Sequence, residues 1–138
     1  MRYLLDTNVC IHAIKRPRGK VAMKIRSTPK ADIAISAVTA AELLAGANRQ
    51  KSSDQQRQAC AQIVGMFSWV PFDRADAVTF GQLGAILLDQ GQMIGSLDLQ
   101  IAATAINQSL VVVTHNVGEF SRLPNLLMED WQAQLGEI

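Results

Sequence analysis

The sequence is poor in aromatic and in charged residues. Aromatic side chains account for 5% of its 138 residues and charged side chains for 18%, whereas hydrophobic residues account for 49%. A chain of this length and composition has enough apolar side chains for one ordinary globular core. We therefore expect a single domain that covers residues 1–138.

Cysteine and histidine are also scarce. Cys10 and Cys60 are the only cysteines, and both lie in apolar segments without a histidine cluster nearby. This pattern favours buried free thiols over a disulfide or a zinc site. Free thiols fit a reducing cytoplasm.

The sequence has no long apolar run. Asp6 interrupts the first apolar segment after a few residues, so we expect no secretory signal and a mature protein that begins at Met1. The longest uncharged stretch lies between Asp98 and Glu119, and it contains polar side chains that a lipid-facing helix tolerates poorly. These side chains are Gln100, Asn107, Gln108, His115 and Asn116. We expect a cytoplasmic protein without membrane contact.

Positive charge is concentrated near the start of the chain. Residues 1–31 hold eight basic side chains and one acidic side chain, a net charge of +7, whereas the remaining residues hold five basic and eleven acidic side chains, a net charge of −6. The basic end is a candidate surface for binding a polyanion. A solvated helical surface is the alternative. The basic side chains at the centre of this segment are Lys15, Arg16, Arg18, Lys20, Lys24 and Arg26.

Short apolar runs alternate with segments of helical periodicity. The pattern predicts strands at 2–5, 32–36, 69–72, 110–114 and 125–129, and helices at about 8–16, 20–27, 38–50, 53–67, 74–90 and 97–108. Strands that are apolar throughout are typical of a sheet covered on both faces. The sequence therefore predicts an α/β fold with parallel strands joined by helical crossovers.

Four acidic residues are expected at one edge of this sheet. Asp6 follows the first strand, Glu42 lies in the first turn of the helix after the second, and Glu119 follows the fourth. Asp98 lies at the start of the helix before the fourth strand. Sites in open parallel sheets form beyond the carboxyl ends of the strands.

A cluster of carboxylates favours a bound cation, because the charges otherwise repel one another. Oxygen ligands suit Mg²⁺ or Mn²⁺ best and leave Ca²⁺ open, whereas Zn²⁺ prefers histidine or thiolate. A metal next to a basic surface can bind a phosphodiester, activate the attacking water and stabilise the leaving oxygen. The predicted chemistry is hydrolysis of a nucleic acid.

Each acid also has a purely structural interpretation. Asp6 could be the N-cap of the following helix, and Glu42 could form a capping box with Thr39. Asp98 could stabilise its helix through the macrodipole, and Glu119 could be an ordinary exposed acid. Their shared location favours the functional interpretation, because four independent caps do not require it.

Four segments together resemble the PIN-domain nucleases, and among them the VapC-type toxins of toxin–antitoxin pairs. The segments are LLDTNVCI at 4–11, ISAVTAAELLAGA at 35–47, GSLDLQIAATAI at 95–106 and VVTHNVGEF at 112–120. The resemblance implies a three-layer α/β/α sandwich with a central, mainly parallel sheet of four to five strands. It also implies an endoribonuclease whose acidic pocket binds one or two Mg²⁺ or Mn²⁺ ions.

The resemblance also suggests residue roles. Asp6 and Asp98 would be the principal metal ligands. Glu42 would complete the shell directly or through water and could orient the attacking water. Glu119 would help to hold a second ion or its water shell, although family members often carry aspartate there.

Further polar residues match positions beside the pocket. Thr114 and Asn116 could bond to carboxylates or metal-bound waters. Asn8 is a candidate for the same role, although it could equally be an ordinary residue of an early helical turn. His115 receives no role, since relatives commonly show another polar residue there.

The implied partners are a structured RNA, a second copy of the chain and an antitoxin. Family members cut a transfer RNA or a ribosomal loop, which arrests translation and growth, and we expect the basic stretch from Lys15 to Lys30 to contact phosphates. They form homodimers, and the C-terminal segment of an antitoxin wraps them into a larger assembly. Apolar residues that could face the antitoxin or simply fill the core are Ile11, Ile14, Val21, Met23, Leu44, Ile63 and Met66.

Two other classes compete with this interpretation. A receiver-like signalling domain normally has a lysine after a late strand, where this chain has His115. A catalytically silent RNA-binding or partner-binding module with the same fold would keep the basic surface and lose carboxylates, yet all four are present.

Overall fold

The sheet is parallel throughout. A computed structural model describes all 138 residues. Its strands are β1 (Tyr3–Leu5), β2 (Ile33–Ser36), β3 (Ser68–Val70), β4 (Val111–Val113) and β5 (Met128–Glu129). They form one sheet in the order β3-β2-β1-β4-β5, and every neighbouring pair is parallel.

Helices connect the strands, as parallel pairing requires. They are α1 (Thr7–Lys15), α2 (Lys20–Ser27), α3 (Ala37–Ala47), α4 (Asp54–Met66), α5 (Arg74–Asp89), α6 (Ser96–Gln108), α7 (Val117–Phe120) and α8 (Trp131–Leu135). A short 3₁₀ helix spans Lys30–Asp32. No helix combines the length and the apolar character needed to cross a membrane.

The central strands β1 and β4 are apolar at every position because each supplies two cores. Tyr3 and Leu5 of β1 pack with residues of α1, α2, α3, α4 and α8 on one face of the sheet. Leu4 points to the other face and packs with residues of α5, α6 and α7. Since successive side chains of a strand alternate between faces, both positions must be apolar when helices cover both. The three-layer α/β/α sandwich is confirmed.

The elements differ from the predictions mainly in length. The strand predicted at 69–72 spans Ser68–Val70, because Pro71 has no N–H to continue the ladder. The strand predicted at 125–129 contains only Met128–Glu129. α7 and α8 were not predicted, because four or five residues are too few to show a helical period.

Candidate active site

Asp6 lies where β1 passes into α1. Its Oδ1 accepts a hydrogen bond from the Val9 amide at 2.8 Å, so it is the N-cap of α1, as one of the two interpretations predicted. The residue is 1% exposed. Burial raises the pKa of this carboxyl to about 6, although the hydrogen bonds from Thr114 and Val9 oppose the increase. Asp6 therefore combines a structural role with a carboxylate that is costly to ionise.

Glu42 is not part of a capping box. α3 begins at Ala37, and its N-cap is Ser36, whose Oγ accepts from the Thr39 amide at 2.9 Å. Glu42 therefore lies in the second turn of α3. The predicted first-turn position is wrong, and so is the capping-box alternative. Its Oε1 instead accepts a hydrogen bond of 2.6 Å from the Thr7 hydroxyl. This contact ties α3 to the start of α1.

Asp98 is the third residue of α6. The N-cap of this helix is Gly95, which supplies no side-chain hydrogen bond. The Asp98 carboxylate lies in the first turn and interacts favourably with the positive end of the helix dipole. Its side chain is half-buried, and its pKa is raised by burial, by Glu119 and, more weakly, by Glu42, whereas the amide of Asn116 opposes the increase.

Asn116 connects two of the acids. Its Nδ2 donates to Asp98 Oδ2 at 3.4 Å and also to a carboxylate oxygen of Glu119 in α7. Its backbone amide donates to the Thr114 hydroxyl at 2.9 Å, just after β4. Glu119 is thus half-buried and bonded within the site, and it is not an ordinary exposed acid.

The four acids lie near one another at the carboxyl edge of the sheet. Asp98 and Glu42 both raise the pKa of Asp6, and Glu119 and Glu42 both raise that of Asp98, so their charges interact. No three acidic, histidine or cysteine side chains meet closely enough to enclose a metal ion as they stand. An open depression at this edge is lined by Thr7, Asn8, Glu42, Gly95, Ser96, Leu97 and Asp98.

Sequence reasoning missed the hydroxyl groups that hold Glu42. Thr7 lies 3.1 Å from Thr39, and Thr39 lies 3.2 Å from Ser36, with all distances measured between the hydroxyl oxygens. All three residues are buried. The sequence does show a polar residue, Thr7, directly after Asp6 and two hydroxyl residues, Ser36 and Thr39, at the start of α3. The contact between Thr7 and Thr39 depends on how α1 and α3 pack, which the sequence does not show.

The six basic residues do not form one continuous surface beside the acids. Lys15 and Arg16 line an open polar groove together with Asn8, His12, His115, Asn116 and Gln132, and Asn116 and Asn8 connect this groove to the acidic site. Lys20 and Lys24 instead contact the C-terminal region, through the Leu135 carbonyl and the Trp131 ring. Arg26 lines an apolar hollow between α2 and α4, and Arg18 is exposed in the turn between α1 and α2.

The two histidines have local partners. Arg16 Nη1 lies 3.2 Å from His12 Nδ1, and His12 Nε2 lies 2.8 Å from Glu137 Oε1. A guanidinium only donates, so His12 Nδ1 accepts and Nε2 carries the proton that it donates to Glu137. His115 is on the surface, and its Nδ1 lies 2.9 Å from Asp130 Oδ2.

A second groove starts at Glu42 and runs between α1 and the α3–α4 pair. Ile11, Ile14, Leu43 and Ala47 give it an apolar floor, and Lys15 and Arg49 lie along it. Among the other residues considered for a partner, Met23 and Leu44 are exposed and Met66 is half-buried, whereas Val21 and Ile63 belong to the core.

The PIN domain family model matches residues 3–126. The chain is 33% identical to the Ribonuclease VapC2 of Rickettsia felis over 132 residues, which cover 95% of this chain and 98% of that one. It is also 33% identical to the tRNA(fMet)-specific endonuclease VapC of Shigella flexneri over 131 residues, with the same coverage of both chains.

Solved structures show the same relationship. The fold matches the DNA-bound VapBC of Salmonella typhimurium with a TM-score of 0.86 and 30% identity over 95% of this chain and 98% of that one. It matches VapBC2 of Rickettsia felis, bound to a promoter DNA fragment, with a TM-score of 0.83 and 31% identity over 95% and 99%. The chain therefore belongs to the PIN domain family, among the VapC-type ribonucleases that act as toxins of toxin–antitoxin pairs.

Proposed function

We propose that the chain is a Mg²⁺- or Mn²⁺-dependent endoribonuclease that cuts a structured RNA, a transfer RNA or a ribosomal loop, and thereby arrests translation and growth. The observation that carries this proposal is that Asp6, Glu42, Asp98 and Glu119, from four separate segments of the chain, lie near one another at one edge of the sheet. The Shigella relative is named as an endonuclease specific for tRNA(fMet), which favours transfer RNA as the substrate class.

The donor set of the site fits a hard cation. It consists of carboxylate, hydroxyl and amide oxygens. Burial, and to a smaller extent repulsion among the acids, raises the pKa of Asp6 and Asp98, and a bound divalent ion would offset both effects by stabilising the ionised carboxylates. Mg²⁺ keeps several waters and needs only one or two direct carboxylate ligands, so the acids need not enclose it.

Each acid has a proposed role in holding one or two ions. Asp6 and Asp98 would bind directly, and Glu119 would hold a second ion or its waters through the arrangement that Asn116 fixes. A bound ion would supply an activated water and stabilise the leaving oxygen. Glu42 would orient the attacking water, while Thr114, Asn116 and Asn8 would hold carboxylates and waters in place.

The RNA backbone would follow the polar groove beside the acidic site. Lys15 and Arg16 line that groove and are the first candidates for phosphate contacts. Arg18, Lys20, Lys24 and Arg26 lie further along the chain and would extend the positive surface. Most aromatic side chains are at least partly buried, so recognition would depend on the shape and backbone of the RNA more than on base stacking.

The apolar groove at Glu42 is the proposed binding site for the antitoxin. Ile11 and Ile14 offer it hydrophobic contacts, and Glu42 at its end could accept a basic side chain, which would block access to the acidic site. The structures of the Salmonella and Rickettsia neighbours are those of VapBC complexes, which supports a VapB-type partner. We also propose a single catalytic domain over residues 1–138 that forms a homodimer, acts in the cytoplasm and joins a larger assembly with its antitoxin.

Cleavage of total cellular RNA tests the enzymatic proposal. Antitoxin-free protein should produce discrete fragments with Mg²⁺ or Mn²⁺ and none with a chelator, and Asp98→Asn should abolish both cleavage and growth arrest. Asp32→Asn is the matched control, because Asp32 directly precedes β2 and so lies at the amino edge of the parallel sheet, opposite the site.

A silent binding module would behave differently. It would bind RNA without cutting it, and Asp98→Asn would leave its cellular effect unchanged. Growth arrest by an Asp98→Asn variant at the same abundance as the wild type would therefore contradict the nuclease proposal.

A further inference from the structure

Three buried hydroxyl groups form a chain that ends on Glu42. Ser36 lies at the end of β2, Thr39 in the first turn of α3 and Thr7 in the first turn of α1. The successive oxygen–oxygen distances are 3.2 Å from Ser36 to Thr39, 3.1 Å from Thr39 to Thr7, and 2.6 Å from Thr7 to Glu42 Oε1. The three residues are 2%, 0% and 8% exposed, so water does not compete for these hydrogen bonds.

The number of available protons determines which hydroxyl group donates in each of these hydrogen bonds. A hydroxyl has one proton, and a carboxylate only accepts, so the Thr7 proton points to Glu42. Thr39 must then donate to Thr7, and Ser36 must donate to Thr39. The Ser36 oxygen is itself held by the Thr39 amide at 2.9 Å. All three O–H dipoles therefore point the same way, towards the carboxylate.

Hydrogen bonds linked in one direction strengthen one another, and in a buried site they hold their acceptor firmly. Because Thr7 occupies Oε1, Oε2 is left for a ligand in the depression that Glu42 lines together with Asp98. We propose that Thr7 and Thr39 are positioning residues that fix the Glu42 carboxylate for the metal and its attacking water. This inference rests on the proposed function of the acidic site.

The chain of hydroxyls also explains how a helix can hold an acid away from its first turn. A glutamate in the second turn has no free backbone amide of its own helix to bond, and a long side chain loses rotamer freedom when it is fixed. Thr7 supplies the missing donor from a different helix, directly after Asp6. The same segment, residues 6–7, thus presents one acid and orients another.

Threonine-to-valine variants test the inference because valine keeps the shape of threonine and removes the hydroxyl. We expect Thr7→Val to lower either the affinity of the purified protein for Mn²⁺ or kcat for RNA cleavage by about 10- to 100-fold. Loss of a group that orients a metal ligand typically has an effect of this size. KM for RNA should stay near the wild-type value, because Thr7 contacts no proposed phosphate site. Thr7→Ser keeps the hydroxyl and should restore most of both quantities.

Two further variants separate positioning from stability. Thr39→Val interrupts the chain one step earlier and should lower Mn²⁺ affinity in the same direction by a smaller factor. Thr104→Val is the matched control: Thr104 is 1% exposed and donates at 3.0 Å to Asp76, a buried carboxylate between α5 and α6 that lies outside the site. It should lower the melting temperature and leave Mn²⁺ affinity and kcat unchanged.

The outcomes are distinct. A Thr7→Val protein with wild-type Mn²⁺ affinity and kcat would overturn the inference while the proposed function stands, and so would a Thr7→Ser protein as defective as Thr7→Val. If the wild-type protein neither binds Mn²⁺ nor cuts RNA, the proposed function fails and the inference fails with it.

Discussion

Glu137 Oε1 lies 2.8 Å from His12 Nε2, although 125 positions separate the two residues in the sequence. The same carboxylate accepts from the backbone amides of Lys20 at 2.7 Å and Val21 at 3.3 Å. It therefore caps α2, whose own N-cap, Gly19, has no side chain to do so. A Cβ at Gly19 would lie 2.5 Å from a Glu137 oxygen, so a larger residue at this position would displace the capping carboxylate.

We predict that Glu137→Ala lowers the melting temperature by removing this cap. The pKa of Glu137 is lowered by the hydrogen bond from His12 and then by that from the Lys20 amide. A carboxyl whose pKa is lowered by folding stabilises the protein above its unfolded pKa and loses that effect as the pH falls. The difference in melting temperature between the wild type and the variant should thus be present at pH 7 and become smaller near pH 4. An equal difference at both pH values would contradict the assignment.

We predict that Asp6→Asn, unlike Glu137→Ala, stabilises the metal-free protein at neutral pH. Folding raises the pKa of Asp6 from 3.8 to about 6, so ionising it in the metal-free folded protein costs up to about 3 kcal/mol, a cost that appears as the pH rises through this range. Asparagine can keep the N-cap, so the variant should be more stable than the wild type at pH 7.5 and equal to it near pH 4.

Thermal melts with and without Mg²⁺ complete the test of Asp6. Mg²⁺ should raise the melting temperature of the wild type, since it binds only the folded state, and should have little effect on the variant. A wild-type protein that is already more stable than Asp6→Asn at pH 7.5 without metal would show that the buried carboxylate carries no such cost.

We predict that the two thiols react slowly in the folded protein and differ from each other. Burial raises the pKa of Cys10 far above its usual value, and burial also raises that of Cys60. Alkylation requires the thiolate, so both should be protected at pH 7.5. Cys60 lies in the wall of the groove at Glu42, so it should be labelled before Cys10. Mass spectrometry of native and urea-unfolded samples measures both rates, and equal native rates would contradict the prediction.

We predict that Ser109→Gly stabilises the protein by up to about 1 kcal/mol. Ser109 ends α6 with φ 56° and ψ 41°, a left-handed conformation that costs a residue with a Cβ. Glycine adopts it without that cost and is the preferred residue at such helix ends. Ser109→Ala keeps the Cβ and serves as the control. Urea unfolding should rank glycine above serine, and an alanine variant as stable as the glycine variant would refute this explanation.

The sequence predicted the layers of the fold well because the strands carry a strong signal. Val111–Val113 is apolar at each position, which is typical only of a strand covered on both sides. The start of α3 was harder to predict, since Ser36 finishes β2 and also caps α3. That double use shifted the predicted helix start and placed Glu42 one turn too early.

Contacts between helices were beyond sequence reasoning. Asp76 is 2% exposed and accepts hydrogen bonds from Thr104 and Asn107, which lie 28 and 31 positions further along the chain. Nothing in its local sequence distinguishes it from the exposed acids of other helices. The bond between Thr7 and Glu42 was missed for the same reason, because it depends on how α1 and α3 pack and on no local pattern.

The sheet order has a consequence for synthesis of the chain. The first three strands are added outward from β1 on one side, and β4 then inserts on the other side of β1, so the crevice between β1 and β4 is the point where the order reverses. Asp6 and Glu42 leave the ribosome early, whereas Asp98 and Glu119 belong to the last third of the chain. A nascent chain that has not yet reached α6 therefore holds only two of the four acids of the site, and the complete site arises only after Glu119 has been added.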